Sequence, residues 1–322
     1  MSDNKNKKYW SSICEDYSEI PVFLQPWWWD ITCGKSGWEI AMSFSPKGTP
    51  QGAMLYEIKT NYGIRRLTLP PFTPFNGIWL RNIDTSKAHS LYSKRRKIIT
   101  QILEELPRAS MQDFKIHYAL DDWLPFKWKG YNQTTQYTQT LDITAEEEEI
   151  YAGLKSATRS KIKRASSFLK LISVKDINRF IEHIQAVFSY KKIKFGNREK
   201  NIIRTIDKRL TELDKKEIYA VQDKDGHIHA MIYLIFTGQQ VHYWLGGASP
   251  AYRNEAGMYL LLWEAIKKSR GRAKCFDFDG SNHPNIAPVF TGFGAIPKGY
   301  HYIYRSNGWM YRLLRLVRRK DG

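Results

Sequence analysis

The clearest hydrophobic periodicities lie in the second half of the chain. Ile177, Phe180, Ile181, Ile184 and Val187 recur at three- and four-residue spacing behind Asp176, which predicts a capped helix with one apolar face. Ile202, Ile203, Ile206 and Leu210 repeat that spacing over about 198–213. Residues 137–143 alternate as a strand does. They run into Asp142-Ile-Thr144, an expected cap for the acidic helical turn AEEEEIYAGL. A basic helix over 156–169 and a short strand over 171–174 lie between that turn and Asp176. Three short strands follow the helices, at 217–222, 227–236 and 240–246. Asp225-Gly226 and Thr237-Gly238 mark the two hairpin turns. A helix over 254–270 stops at Gly271, a favoured residue just past a helix end. A strand at 275–278, a short helix at 284–290 and a strand at 300–305 complete the half.

The first half repeats the middle of this order. A helix at 26–33 precedes strands at 38–44, 52–60 and 62–69, then a helix at 88–106 and a strand at 114–120. The two three-strand meanders lie about 175–180 residues apart. Such spacing predicts two copies of one α/β fold with mixed sheets. The boundary is expected within 130–136, giving domains at 1–135 and 136–322.

Composition changes this picture in one respect. The 322 residues are 42% hydrophobic, enough for two cores, but 50 Lys and Arg against 32 Asp and Glu leave a net charge of +18. That excess favours anionic partners, while the apolar content excludes disordered and collagen-like classes. Cys14, Cys33 and Cys275 are odd in number and widely spaced, as in a reducing compartment. The opening MSDNKNKKYW has no apolar stretch of the signal-peptide kind, and the run MYLLLW is far too short to span a bilayer. A soluble, cytoplasmic protein is the expectation.

Residues 241–257, VHYWLGGASPAYRNEAG, carry the most informative chemistry. A strand ends in Leu245, Gly246, Gly247 and Ala248, turns through Pro250, and enters a helix at Asn254. Glycines allow close backbone approach, and free N–H groups at a helix N-terminus suit an anion such as a pyrophosphate. Arg253 adds a cation beside Asn254 and Gly257. Asp277 and Asp279 share one strand face near the strand's end. Either carboxylate could deprotonate an ammonium, and either could instead hold the following Gly280 turn. On the basic helix, Lys155, Arg159 and Lys163 fall at i, i+4 and i+8 without an intervening acid. Repulsion along that face would be relieved by an anionic acceptor. Trp27, Trp28 and Trp29 point in different directions on a helix, so at most two reach one pocket; Trp28 is the candidate for stacking on a substrate. His229 and His242 would stand about 17 Å apart along the hairpin, with His242 opposite Leu234. No metal-ligand spacing occurs, and no metal is expected. The basic amphipathic WMYRLLRLVRRK near the C-terminus suits a docked terminal helix or a peripheral membrane contact.

Three segments resemble a known family: SATRSKIKRASS from residue 156, YWLGGASPAYRNEAGMYLLLWEAI from residue 243, and FDFDGSNHPNIAPVFTGFGAIPKGYHYIYR from residue 276. Together they resemble the GNAT acyltransferases, and more narrowly the Fem-type branch with two GNAT-like domains in tandem. LQPWWWDITCG and LTLPPFTPFNG in the first half also resemble that branch. The resemblance implies transfer of an acetyl or aminoacyl group, from acetyl-CoA, another acyl-CoA or an aminoacyl-tRNA, to a small-molecule or peptide amine such as a cell-envelope precursor. It implies donor binding by Leu245 to Ala248, Arg253, Asn254 and Gly257, proton removal at Asp277, and acceptor attraction by Arg159 and Lys163. The family's Gln/Arg-x-x-Gly-x-Gly/Ala signature is met at Arg253, whereas Ala256 and Met258 stand in place of its glycine and small residue. The bridge-forming members carry a lysine two places before the glycine of a Phe-Lys-x-Gly-Phe motif. Phe290-Thr291-Gly292-Phe293 has none. The alternative is a non-catalytic protein that keeps the fold with an altered donor site.

Overall fold

A computed structural model describes residues 3–17, 20–280 and 282–306. The chain divides into two compact units, Met1–Gln136 with Gly299–Gly322, and Tyr137–Lys298. In chain order the elements are α1 (Asp3–Asp16), α2 (Pro26–Cys33), β1 (Trp38–Phe44), β2 (Pro50–Asn61), β3 (Ile64–Thr68), β4 (Ile78–Leu80), α3 (Ala88–Glu104), β5 (Met111–Ile116) and α4 (Leu124–Trp128). There follow β6 (Asn132–Asp142), α5 (Glu147–Ala152), α6 (Ser156–Ser166), β7 (Lys170–Ser173), α7 (Ile177–Tyr190), α8 (Asn197–Glu212), β8 (Lys216–Gln222), β9 (Ile228–Thr237) and β10 (Gln240–Ala248). The chain then forms α9 (Gly257–Ser269), β11 (Cys275–Asp277), α10 (Ala287–Thr291) and β12 (Ile296–Ser306). This is the mixed α/β class expected from the sequence.

In the second unit β8, β9 and β10 form an antiparallel meander, α9 follows, and β11 returns parallel to β10. In the first unit β1, β2 and β3 form the same meander, α3 follows, and β5 returns parallel to β3. The repeat inferred from strand spacing is therefore a repeat of pairing and direction. Each parallel return strand then gains an antiparallel neighbour, β6 beside β11 and β12 beside β5. β12 belongs to the first unit because residues 301–306 pair with β5. The chain crosses between units twice, at 136/137 and 298/299, and hydrophobic spacing reveals only the first crossing.

β9 is buried from His229 to Thr237 without alternation, as a strand covered on both faces must be. α9 packs Leu260, Leu261, Leu262 and Trp263 into the same core as Val221, Ile232 and Leu234. The apolar stripe of α7, Phe180, Ile181, Ile184 and Val187, is buried as its spacing predicts. Asp176 caps α7 by accepting the Asn178 N–H at 2.9 Å.

The structure revises several local expectations. Asp142 accepts from the Thr144 N–H and hydroxyl, a local turn, and α5 begins after Glu146 without a side-chain cap. His242 pairs with Ile235 and not Leu234, because the hairpin closes between Thr237 and Gln240. α9 begins at Gly257, three residues after Asn254. Residues 249–256 form hydrogen-bonded turns, in which Tyr252 N–H donates to Ser249 and Glu255 N–H to Tyr252. β5 starts at Met111 rather than 114. Finally, Trp28 is fully buried, and its indole donates to the Thr73 hydroxyl at 2.8 Å. Trp10, Trp29 and Trp38 are buried likewise, donating to Leu24 O, Phe23 O and Asp30 Oδ1. A buried, satisfied indole is core material, so Trp28 does not offer a face to a substrate.

Candidate functional site

The site is built where β10 parts from β11. The two strands pair only over residues 240–242 and 275–277, whereas β10 continues to Ala248 against β9. The β9–β10 register slips between Tyr243 and Leu245, so Trp244 is an extra residue. Bulges of this kind bend a strand and re-aim the side chains beyond them. Trp244 is anchored against Tyr233, ring centroids 4.9 Å apart, and Tyr233 in turn donates to buried Asp207 at 2.9 Å. Leu245, Gly246, Gly247 and Ala248 are all partly accessible beyond the bulge.

Close packing excludes a side chain at Gly246 and crowds one at Gly247. A Cβ on Gly246 would lie 2.5 Å from the Met231 carbonyl oxygen, and one on Gly247 would lie 3.1 Å from Val187. α7 also touches the strand through His183, whose Nε2–H donates to the Gly247 carbonyl at 2.8 Å. Burial lowers the His183 pKa, and that bond partly offsets the shift.

After Ala248 the chain reaches α9 through Ala256, which has φ +61° and caps the helix with no side-chain acceptor. Gly257 is needed where α9 crosses the sheet, since a Cβ there would lie 2.9 Å from the His229 Cβ. The turn is clamped by His229, 2% exposed, which stacks on Tyr252 with centroids 4.1 Å apart. Its Nε2 lies 3.2 Å from Asp223 and its Nδ1 3.2 Å from Glu255. Burial alone would raise the Asp223 pKa. Hydrogen bonds from the His227 N–H and from both rings overcome this and hold it at about 2.

Two cations reach the same end of α9. Arg253 is exposed, donates to the Pro250 carbonyl, and lies 4.9 Å over the Tyr190 ring. Lys161 donates to the Tyr259 hydroxyl at 2.9 Å and lies 4.3 Å above its ring, because α6 packs along α9. Asn254 is exposed beside Arg253. The sequence singled out other members of α6. Arg159 donates to the Ala152 and Leu154 carbonyls and so ties α6 to the end of α5, while Lys163 is exposed. Lys161 was read only as one more cation of the basic helix, and His183, Tyr190 and Tyr259 escaped the sequence reading, since periodicity assigns a face and not a neighbour.

Asp277 ends β11 with 2% exposure. It accepts from the Thr138 hydroxyl at 2.5 Å and from the Asp279 N–H at 2.9 Å. Its parallel register partner is His242, whose full burial pushes its pKa down to about 4. Asp279 is half-exposed with φ +52°, and Gly280 follows at φ +61°. Ligand atoms of His242, Asp277 and Asp279 lie within 4.8 Å of one another, as do those of Asp223, Asp225 and His227. The basic C-terminal segment 309–320 lies outside the described residues.

The acetyltransferase (GNAT) domain family matches residues 154–284, the stretch that contains the parted strands, the glycine pair and α9. This stretch is a GNAT domain. Its fold is that of acyltransferases. Solved structures extend the likeness of fold to both units. A structure of FemX matches with TM-score 0.63 and 13% identity, over 92% of this chain and 96% of that one. The C-terminal domain of a putative lysylphosphatidylglycerol synthetase from Agrobacterium fabrum matches with TM-score 0.55 and 11% identity, over 97% and 95%. A tandem GNAT protein from the clavulanic acid biosynthesis pathway matches with TM-score 0.50 and 11% identity, over 85% and 84%. A search of curated protein sequences finds no match. Among the described residues, no helix is long and apolar enough to cross a membrane.

Proposed function

We propose that the GNAT domain transfers an acyl group from an activated, phosphate-bearing donor to an amine. The observation that carries this is the opening of β10 from β11, with Gly246 and Gly247 leading to a helix start that no side chain caps. Peptide groups on the opened edge suit an extended donor arm, and the α9 N-terminus with Arg253 and Lys161 suits its phosphates. Acyl-CoA and aminoacyl-tRNA both meet that description. The residues fit such a group: Ala256 keeps a left-handed backbone where a glycine would, and the Glu255 carboxylate is turned to within 3.2 Å of His229 Nδ1.

In the reaction the amine nitrogen attacks the acyl carbonyl, an N–C bond forms, and the donor's C–S or C–O bond breaks. Backbone N–H groups of Leu245 to Gly247 would polarise the carbonyl, and positioning supplies most of the remainder. Asp279 is the half-exposed carboxylate placed to take the ammonium proton, directly or through water. Asp277, buried, is a positioning residue that holds the Asp279 backbone. Exposed Lys163 and its neighbours would attract an anionic acceptor. A donor of CoA or tRNA type would suit a cytoplasmic protein, as would the unpaired Cys14, Cys33 and Cys275.

Titration calorimetry with acetyl-CoA and with free CoA, at two salt concentrations, tests the donor. Saturable binding that Arg253→Ala weakens about 10- to 100-fold is expected. No binding at millimolar ligand removes CoA as donor and leaves aminoacyl-tRNA, which a tRNA-binding assay then decides. A second reading, binding without turnover, is favoured by Met258 standing where the family has a small residue. Donor binding without acyl transfer to any amine tested would select it.

A further inference from the structure

We propose that the connection between α7 and α8, residues 190–195, is a docking surface for an anionic lipid membrane. The connection is a built structure rather than a slack loop. Lys192 takes a left-handed backbone, φ +57°, and its N–H donates to the Ser189 carbonyl at 3.1 Å. The Ile193 N–H donates to the Phe188 carbonyl at 2.8 Å. Phe188 and Phe195 pack edge to face, centroids 5.3 Å apart, and close the base. The Gly196 N–H donates to Glu199 at 2.8 Å and starts α8.

With those two rings at the base, Tyr190 and Ile193 face outward, 55% and 47% exposed. Lys191, Lys192 and Lys194 flank them along the chain, all exposed. None of the three lysines takes part in an ion pair among the described residues. Arg198 is exposed at the start of α8, and Arg253 lies over the Tyr190 ring. From Phe188 to Arg198 the chain carries four cations and no carboxylate.

An exposed isoleucine flanked by lysines gains little from water or from a phosphodiester chain. At a bilayer surface it can enter the acyl boundary while tyrosine sits among headgroups and lysines reach lipid phosphates. A tip of six residues is also far smaller than the roughly 800 Å² per partner of a stable protein interface. The chemistry favours lipid over nucleic acid or protein. This inference stands whether or not the domain is a transferase.

Flotation of the full chain with phosphatidylcholine vesicles, and with 3:2 phosphatidylcholine:phosphatidylglycerol vesicles, tests it. The protein is expected to float with the anionic vesicles alone. Replacing the three lysines together, Lys191→Gln, Lys192→Gln and Lys194→Gln, should reduce partitioning on the order of 100-fold, at about fivefold per lysine. Ile193→Ser, which leaves the charge unchanged, should also reduce it several-fold. Thermal melting of both variants, expected to match the parent because these side chains are exposed, separates lost docking from lost folding. Absence of binding to anionic vesicles overturns the proposal. Unchanged binding by both variants overturns it too and assigns the membrane contact to another basic segment, such as 309–320. Loss in the lysine variant with full retention by Ile193→Ser, together with lysine-dependent tRNA binding, identifies a nucleic-acid surface instead.

Discussion

Ala256 holds a left-handed backbone at a cost of roughly 1–2 kcal/mol for an L-residue. Ala256→Gly should therefore raise stability by up to about 1 kcal/mol in urea denaturation, the greater freedom of glycine in the unfolded chain offsetting the rest. A fall in stability would show that the buried methyl matters more than the strain. Gly257→Ala should do the opposite and cost about 1–3 kcal/mol, because its Cβ would meet the His229 Cβ at 2.9 Å. His242 supplies a pH dependence. Its pKa falls from 6.5 to about 4 on burial, so the fold favours the neutral ring. That contribution is complete above pH 6.5 and is lost as pH falls toward 4, at about 1.4 kcal/mol per pH unit. The stability difference between parent and His242→Asn, measured at pH 7, 5.5 and 4.5, should shrink toward the acid end. A constant difference would refute the burial argument. Asp223 works in a lower window. Its depressed pKa contributes above about pH 4 and is lost through about pH 2, so Asp223→Asn should lower Tm at pH 7 but not at pH 2.

At the scale of elements, α6 separates two kinds of basic residue that its sequence presents as equivalent. Arg159 spends its guanidinium on two backbone carbonyls, so Arg159→Ala should cost about 1–3 kcal/mol of stability. Lys163 is solvated, and Lys163→Ala should change stability by less than about 0.5 kcal/mol. Equal stability losses in the two variants, measured by denaturant melts, would contradict the assignment. The existence of α7 and α8 was legible because each carries an apolar stripe at helical spacing, that of α6 from its run of basic residues, and that of α9 from its apolar run and the Gly271 stop. The first turn of α9 was not. Arg253, Asn254 and Glu255 have the polar composition of a helix start, but the His229–Tyr252 stack and the Glu255 contact fold them into turns. Those contacts join residues more than twenty positions apart, which no local pattern reports.

At the scale of the molecule, the return of the chain to the first unit has a direct consequence. β12 pairs with β5 over residues 301–306, and Ile303 is fully buried in the first unit's core beside Phe114. A fragment of residues 1–136 would leave that core open and the β5 edge unpaired. It should show no cooperative melt, whereas residues 137–298 should melt cooperatively. A cooperative melt of 1–136 alone would mean that β12 is dispensable. Ile303→Ala in the full chain should cost about 2–5 kcal/mol by the same reasoning.

The amino-acid pattern by itself determined the class of fold, the order of most elements and the repeat. These depend on the spacing of apolar residues and on turn chemistry, and both are local. It also located the strand–glycine–helix segment around Gly246, because the glycine pair falls between an apolar strand and an apolar helix. Tertiary structure alone decided which cations meet at α9, that Asp277 is buried and Asp279 accessible, that Trp28 is core, and where the last strand pairs. Each of those depends on which distant residues share a surface, and burial and electrostatics are properties of that shared surface rather than of any segment.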